Sequence, residues 1–66
     1  MINLREEREN KGYSIRALSK LSGVSTATIS RIESGLVDPK TSITQKLAAA
    51  LEISLDKLVL EDIEAD

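Results

Sequence analysis

Two short amphipathic segments joined by a glycine occupy residues 14–33, and they constrain the fold of this chain more than any other feature. The first segment begins at Ser14, a residue type that caps helix N-termini well. Its apolar side chains recur at the spacing of one helix face: Ile15, Leu18 and Leu21. The pattern predicts a short helix that ends at Ser22.

A sharp turn and a second helix are predicted next. Gly23 favours the turn because glycine adopts the left-handed backbone conformation without the steric cost of a Cβ. Val24 is then placed to pack back against the first helix, and Ser25 to cap the second one. Gly35 is expected to end the second helix as Gly23 ends the first. The inner face of that helix holds Ile29 and Ile32, and its outer face holds Thr26, Ala27, Ser30 and Arg31.

The remaining sequence predicts three more helices and no strands, and therefore an all-α fold of five helices. Asn3 and Glu6 form a capping-box pattern for the first helix, which ends near residues 11–12 and is anchored by Leu4.

The last two helices are also predicted from cap and apolar patterns. Ser42 and Gln45 form a capping-box pattern that starts the fourth helix, and Ser54 caps the fifth. The inward residues of the fourth helix are predicted to be Ile43, Leu47, Ala50 and Leu51. Those of the fifth are predicted to be Leu55, Leu58 and Val59.

Composition limits the classes of function. The 66 residues suffice for one small domain, expected at residues 1–60, with an acidic tail at 61–66. No cysteine or histidine is present, which argues against an enzyme, a cofactor and a metal site. The longest apolar run, residues 47–51, is too short to span a bilayer, and the N-terminus lacks a signal-peptide pattern. We therefore expect a soluble cytoplasmic protein.

Charge is divided unevenly along the chain, although the net charge is only −2. Residues 1–31 carry six basic and three acidic side chains, whereas residues 32–66 carry three basic and eight acidic ones. The positive half is suited to phosphate groups, and the acidic tail would limit non-specific association with nucleic acid. The alternative is that the tail is a solvated end with no role.

Several residues follow the pattern of one protein family: Ser19, Gly23, Ile29 and residues 32–39, preceded by Arg8 and residues 11–14 and followed by residues 47–51 and 53–58. In these residues the chain resembles the Cro-like (Xre-type) helix-turn-helix family of phage and bacterial repressors. The resemblance covers nearly the whole chain. It implies a compact five-helix, lambda-repressor-like DNA-binding domain in which helices 2 and 3 form the helix-turn-helix.

The resemblance implies a sequence-specific regulator of transcription, a repressor, that binds a double-stranded DNA operator. Its recognition helix, at about residues 26–34, would lie in the major groove. Base contacts would come from Thr26, Ala27 and Arg31. Arg31 can donate two hydrogen bonds to guanine, and Ala27 suits a thymine methyl. The alternative for Arg31 is that it lies along the surface or pairs with a glutamate.

Phosphate contacts are expected near the helix N-termini and on the outer side of the motif, from Ser14, Arg16, Lys20, Ser25, Thr28 and Ser30. The sequence departs from the family at Ile15, where many members carry glutamine, and at Asp38, where basic residues are common. It departs again at Thr41 and Thr44, which are usually apolar. The resemblance also implies a partly buried ion pair between Arg8 and Glu33.

Tight selection of a DNA site generally requires two copies of so small a module, so a homodimer on DNA is expected. Surplus apolar residues are the candidates for its interface: Leu36, Val37, Leu58, Leu60 and Ile63. They are alternatively core residues or scattered surface residues. The alternative function is a protein-binding module, such as an antitoxin or an antirepressor, that holds a protein partner through its acidic C-terminal half.

Overall fold

The computed structural model describes residues 2–59 and contains five helices in this part of the chain. They are α1 (Leu4–Asn10), α2 (Ile15–Ser22), α3 (Thr26–Glu33), α4 (Thr41–Leu51) and α5 (Leu55–Leu58). The one extended pairing among residues 2–59 is an isolated antiparallel bridge between Ile2 and Val59. The predicted all-α, five-helix fold is confirmed. The predicted acidic tail, residues 61–66, lies outside the described residues.

One apolar core holds the helices together. α2 packs against both α3 and α4, α4 packs against α5, and α1 packs against α3. The core residues are Leu4, Leu18, Val24, Ile29, Ile32, Leu47, Ala48, Leu51 and Leu58. Most of them are the residues that helical spacing predicts to face inward. Leu21 continues the apolar spacing of Ile15 and Leu18 in α2, but it is 56% exposed and is not part of the core.

The capping box predicted for α1 does not form. The side chain of Asn3 makes no cap hydrogen bond, and its Nδ2 instead donates to Oε2 of Glu7 at 3.4 Å. The backbone N–H of Asn3 donates to the carbonyl of Leu58 at 2.7 Å. Because the Glu6 side chain would have to accept from that same N–H in a capping box, the box is replaced by a tertiary contact, and Glu6 is exposed.

α4 begins two residues earlier than predicted. Its first residue is Thr41, and its N-cap is Lys40, which provides no side-chain hydrogen bond. The cap predicted at Ser42 is therefore wrong. Thr44 is buried, and its hydroxyl donates to the carbonyl of Lys40 at 3.1 Å, which satisfies a polar group inside the core.

The buried stripe of α4 is rotated relative to the predicted one. The residues that it buries are Thr44, Leu47, Ala48 and Leu51. Leu47 and Leu51 confirm the prediction, whereas Ile43 and Ala50 are only half-buried. In α5 the predicted cap is confirmed, since Oγ of Ser54 accepts from the N–H of Lys57 at 3.2 Å. Of the inward residues predicted for α5, Leu58 is fully buried, and Leu55 and Val59 are half-buried.

Candidate nucleic-acid interface

The turn between α2 and α3 is fixed by local hydrogen bonds and one buried side chain. Gly23 has φ of 79°, and its N–H donates to the carbonyl of Ser19 at 2.8 Å. Val24 follows it into the core, with its N–H donating to Oγ of Ser22 at 3.1 Å. The predicted left-handed glycine and inward valine are both confirmed. Together they hold the start of α3 close to the end of α2.

The N-terminus of α3 is capped by a pair of hydroxyl groups. Oγ of Ser25 accepts from the N–H of Thr28 at 3.1 Å and donates to Oγ1 of Thr28 at 2.9 Å. Ser25 therefore uses its donor and an acceptor site within the protein. The Thr28 hydroxyl accepts in this bond, so its own proton is free for an acceptor outside the helix. The first N–H groups of α3 also have no acceptor within the helix, as at any helix N-terminus.

The outer face of α3 is exposed and carries small side chains and one cation. Ile29 and Ile32 anchor the opposite face in the core. The residues exposed on the outer face are Thr26, Ala27, Ser30 and Arg31. Two ion pairs lie within residues 2–59, and neither involves Arg31. Arg31 therefore forms no ion pair with a glutamate within residues 2–59, contrary to that alternative.

The side chains predicted to contact phosphate are solvent-accessible on α2 and at the start of α3. Ser14, Arg16 and Lys20 are exposed along α2, and Thr28 is half-buried at the start of α3. Ser14 also caps α2, because its Oγ accepts from the N–H of Ala17 at 3.0 Å. Ser14 keeps its hydroxyl proton for another acceptor. The two helices of the motif thus expose hydroxyl donors, cations and a free helix N-terminus.

An ion pair joins α1 to the end of α3. Nε of Arg8 donates to Oε2 of Glu33 at 2.7 Å, and Nη2 donates to Oε1 at 3.0 Å. Nη1 of Arg8 donates to the carbonyl of Tyr13 at 2.8 Å, so the guanidinium also fixes the turn before α2. Both side chains are nearly buried, with exposures of 11% and 7%.

The electrostatics of this pair keep the arginine charged. The hydrogen bond to Glu33 raises the pKa of Arg8 above its ordinary value, burial opposes the shift, and the charges of Glu33 and Glu9 add to it. A raised pKa favours the protonated form in the folded state, so any stability gained from this shift is lost only at strongly alkaline pH.

Sequence reasoning missed a second buried carboxylate. Glu7 lies in α1 and is only 6% exposed. It lies three residues after Leu4 and so shares its helix face, which is the signal that indicates its burial. The carbonyl of Tyr13, as a partner of Arg8, was also missed, because no side-chain pattern marks a backbone acceptor.

The structure separates the residues predicted to form a dimer surface. Leu36 is 74% exposed and Val37 is 42% exposed, both in the loop that follows α3. Leu58 is fully buried, so its assignment to a dimer surface is wrong. It is placed by α5 against α4, where it completes the core. Leu60 and Ile63 lie outside the described residues.

Comparison with known proteins assigns the family. The helix-turn-helix family profile matches residues 4–58, which include all five helices. The chain belongs to the helix-turn-helix family. This confirms the family resemblance found in the sequence, and the position of α2 and α3 agrees with it.

Several regulators are similar to this helix-turn-helix chain. It is 41% identical over 56 residues to the HTH-type transcriptional regulator SlrR of Bacillus subtilis, an alignment that covers 83% of this chain and 37% of SlrR. It is 31% identical over 64 residues to the HTH-type transcriptional regulator SinR of Bacillus licheniformis, covering 96% of this chain and 58% of SinR. The chain thus spans less than two thirds of the length of these curated relatives.

A solved structure has the same fold. It is the solution structure of the N-terminal DNA-binding domain of the master biofilm regulator SinR from Bacillus subtilis. The TM-score is 0.75 at 31% identity, and the alignment covers 96% of this chain and 93% of that one. Among the residues that the structure describes, no helix is both long enough and apolar enough to cross a membrane.

Proposed function

We propose that this domain reads double-stranded DNA by sequence, as the DNA-binding part of a transcriptional repressor, with α3 in the major groove. The observation that carries the proposal is the outer face of α3, where small side chains and Arg31 are exposed on a helix firmly anchored in the core, and where Arg31 makes no ion pair within residues 2–59. The similarity to HTH-type transcriptional regulators and to a DNA-binding domain supports it.

Each exposed residue of α3 has a specific role in this proposal. Arg31 donates two hydrogen bonds to O6 and N7 of a guanine, and Thr26 donates to a base edge or a phosphate. Ala27 contacts a thymine methyl. Arg16 and Lys20 approach the phosphates on either side, which fixes the position of the domain without selecting a sequence.

Selection of random DNA duplexes on the purified domain, followed by sequencing of the bound pool, tests this proposal. We expect an enriched site with guanine at one fixed position of each half-site. Arg31→Ala should weaken binding to that site by about 1–3 kcal/mol and abolish the preference for guanine at that position. Lys20→Ala should weaken all duplexes to a similar extent and reduce the dependence on salt.

Lys57→Ala is the matched control, because it removes one exposed positive charge from α5, outside the proposed interface. Its affinity for the selected duplex should stay close to that of the parent. If the Arg31→Ala variant binds the enriched site with the affinity and base preference of the parent, the proposed role of Arg31 is contradicted. Absence of any enriched sequence would contradict sequence-specific binding itself.

We also propose that two copies bind one operator as a homodimer, through the loop that follows α3. Leu36 and Val37 support this, since both are exposed apolar residues next to the recognition helix. One module of this size buries only about 600–1,000 Å² on DNA, which limits how well a single copy selects its site.

A further inference from the structure

Two adjoining clefts lie on the C-terminal side of α3, where the α3–α4 loop meets α5 and the N-terminal segment. Their volumes are about 360 and 430 Å³. Ile2, Asp38 and Pro39 line both clefts, so the clefts form one groove. We call it the acidic groove.

The walls of the acidic groove combine apolar and polar side chains, and the apolar ones lie at both ends. Val37 adds to the wall at one end, and Leu55 and Val59 at the other. The backbone of this wall is fixed, because Ile2 pairs with Val59 and the N–H of Asn3 donates to the carbonyl of Leu58. The groove is therefore already formed in the isolated domain, with a size in the range that binding sites occupy.

The charge of the groove has one sign. Asp38 and Asp56 line it and are exposed, and Glu33 lines it as the ion-pair partner of Arg8. Among residues 2–59, no lysine or arginine lines either cleft. Within residues 2–59, neither aspartate takes part in an ion pair. A partly apolar groove that carries these two carboxylates is complementary to a segment in which apolar side chains alternate with cations.

We propose that the acidic groove binds a cationic amphipathic segment of a protein partner. A phosphate backbone is repelled by the two aspartates. A second copy of this domain, seated groove to groove, would bring four like charges together. Residues 61–66 carry four acidic and no basic side chains, so their charge also disfavours this groove.

The proposal is independent of DNA binding. None of the residues proposed to contact DNA lines either cleft. The groove and the outer face of α3 are thus different surfaces of the domain. Of the two residues that support the proposed homodimer, Val37 lines one cleft. Leu36, the most exposed large apolar residue of the described chain, lines neither cleft and remains available to a second copy.

Selection of displayed random peptides on the immobilised domain, without DNA, tests the proposal. The retained peptides should combine lysine or arginine with aliphatic residues. When one of them is titrated into the ¹⁵N-labelled domain, amide shifts should change at Ile2, Asp38, Thr41 and Asp56, and stay constant over residues 26–31 of α3, which line neither cleft. Asp38→Asn combined with Asp56→Asn should weaken this peptide about tenfold.

Glu6→Gln combined with Glu52→Gln is the matched control. It removes the same amount of negative charge from exposed positions outside both clefts, and it should leave the affinity within about twofold. The single variant Asp38→Asn is also measured. Asp38 lies in the loop between α3 and α4, so its replacement does not affect the stability of α5, whose first turn contains Asp56. Val37→Ser should weaken the peptide about threefold through lost apolar contact.

Three results would overturn the proposal. The first is an equal loss of affinity in the control pair, which would indicate attraction by net charge alone. The second is a peptide that shifts amides of α2 or of residues 26–31 of α3 instead of those of the groove. The third is that no peptide is retained, or that the shifts at the groove arise from self-association of the domain, as measured by sedimentation.

Discussion

At the scale of single residues, Arg8 and Glu33 connect segments that are far apart in the sequence. The guanidinium spans α1, the turn at Tyr13 and the end of α3 through three hydrogen bonds. No periodicity of charge in the chain predicts this pair. It was expected only because the residues resemble those of a family, and this resemblance could not supply the Tyr13 carbonyl as the third partner.

Removal of the carboxylate tests what this pair contributes. Glu33→Ala should destabilise the domain by about 3–5 kcal/mol, because the Arg8 charge would be left nearly buried without its partner. For a domain of this size the melting temperature should fall by at least about 12 °C, as measured by circular dichroism.

The exposed pair between Arg5 and Glu9 provides the control. It lies within α1 at a distance of 3.4 Å, and both side chains are mostly exposed. Glu9→Ala should change stability by less than about 0.5 kcal/mol. Similar melting temperatures for Glu33→Ala and Glu9→Ala would contradict a structural role for the buried pair.

At the scale of elements, apolar spacing and serine caps predicted the starts of α2, α3 and α5 correctly, but they did not predict the start of α4. Ser14, Ser25 and Ser54 each cap the helix that follows them. The pattern at Ser42 has the same appearance but does not act as a cap, because α4 begins earlier and buries Thr44. A threonine can be buried in a core when its hydroxyl donates to a backbone carbonyl one helical turn earlier, as that of Thr44 does. A pattern of polar and apolar residues does not predict such a buried threonine.

The end of α4 also departs from the usual residue choice. Glu52 has φ of 59°, the one positive value among the described residues other than glycine. The left-handed conformation costs a residue with a Cβ roughly 1–2 kcal/mol, part of which glycine would recover. Glu52→Gly should therefore stabilise the domain by about 0.5–1 kcal/mol, which raises the melting temperature by about 2–8 °C.

Ala49→Gly distinguishes this effect from a general effect of glycine. Ala49 is exposed within α4, so glycine there should cost about 1 kcal/mol and lower the melting temperature. If both variants lower it, the conformation at Glu52 is not a source of strain.

At the scale of the whole molecule, the sequence predicted the number and order of helices, but not the surfaces that these helices build together. The acidic groove combines Ile2, Val37, Asp38, Leu55 and Val59, which come from three separate parts of the chain. Only tertiary packing brings them together. For the same reason, spacing alone could not decide whether the apolar residue Leu58 lies in the core or on a dimer surface.

The dependence of DNA binding on salt tests whether two copies act on one operator. Arg16 and Lys20 are the proposed phosphate cations, so each copy should give a slope of about −2 in log K against log salt, and a pair on an inverted repeat about −4. Leu36→Ser should keep the slope and affinity on a half-site. On the inverted repeat it should lose the extra affinity, and the slope should return to about −2.

Leu21→Ser is the control for this measurement, because it makes the same change at an exposed leucine in α2, away from the loop. Titrations between about 50 and 200 mM salt on both duplexes distinguish the outcomes. A parent slope of about −2 on the inverted repeat would mean that one copy binds at a time. A steep slope that survives in Leu36→Ser would mean that the two copies bind as one unit held together by contacts other than this loop, since copies that bind separately each give a slope of about −2.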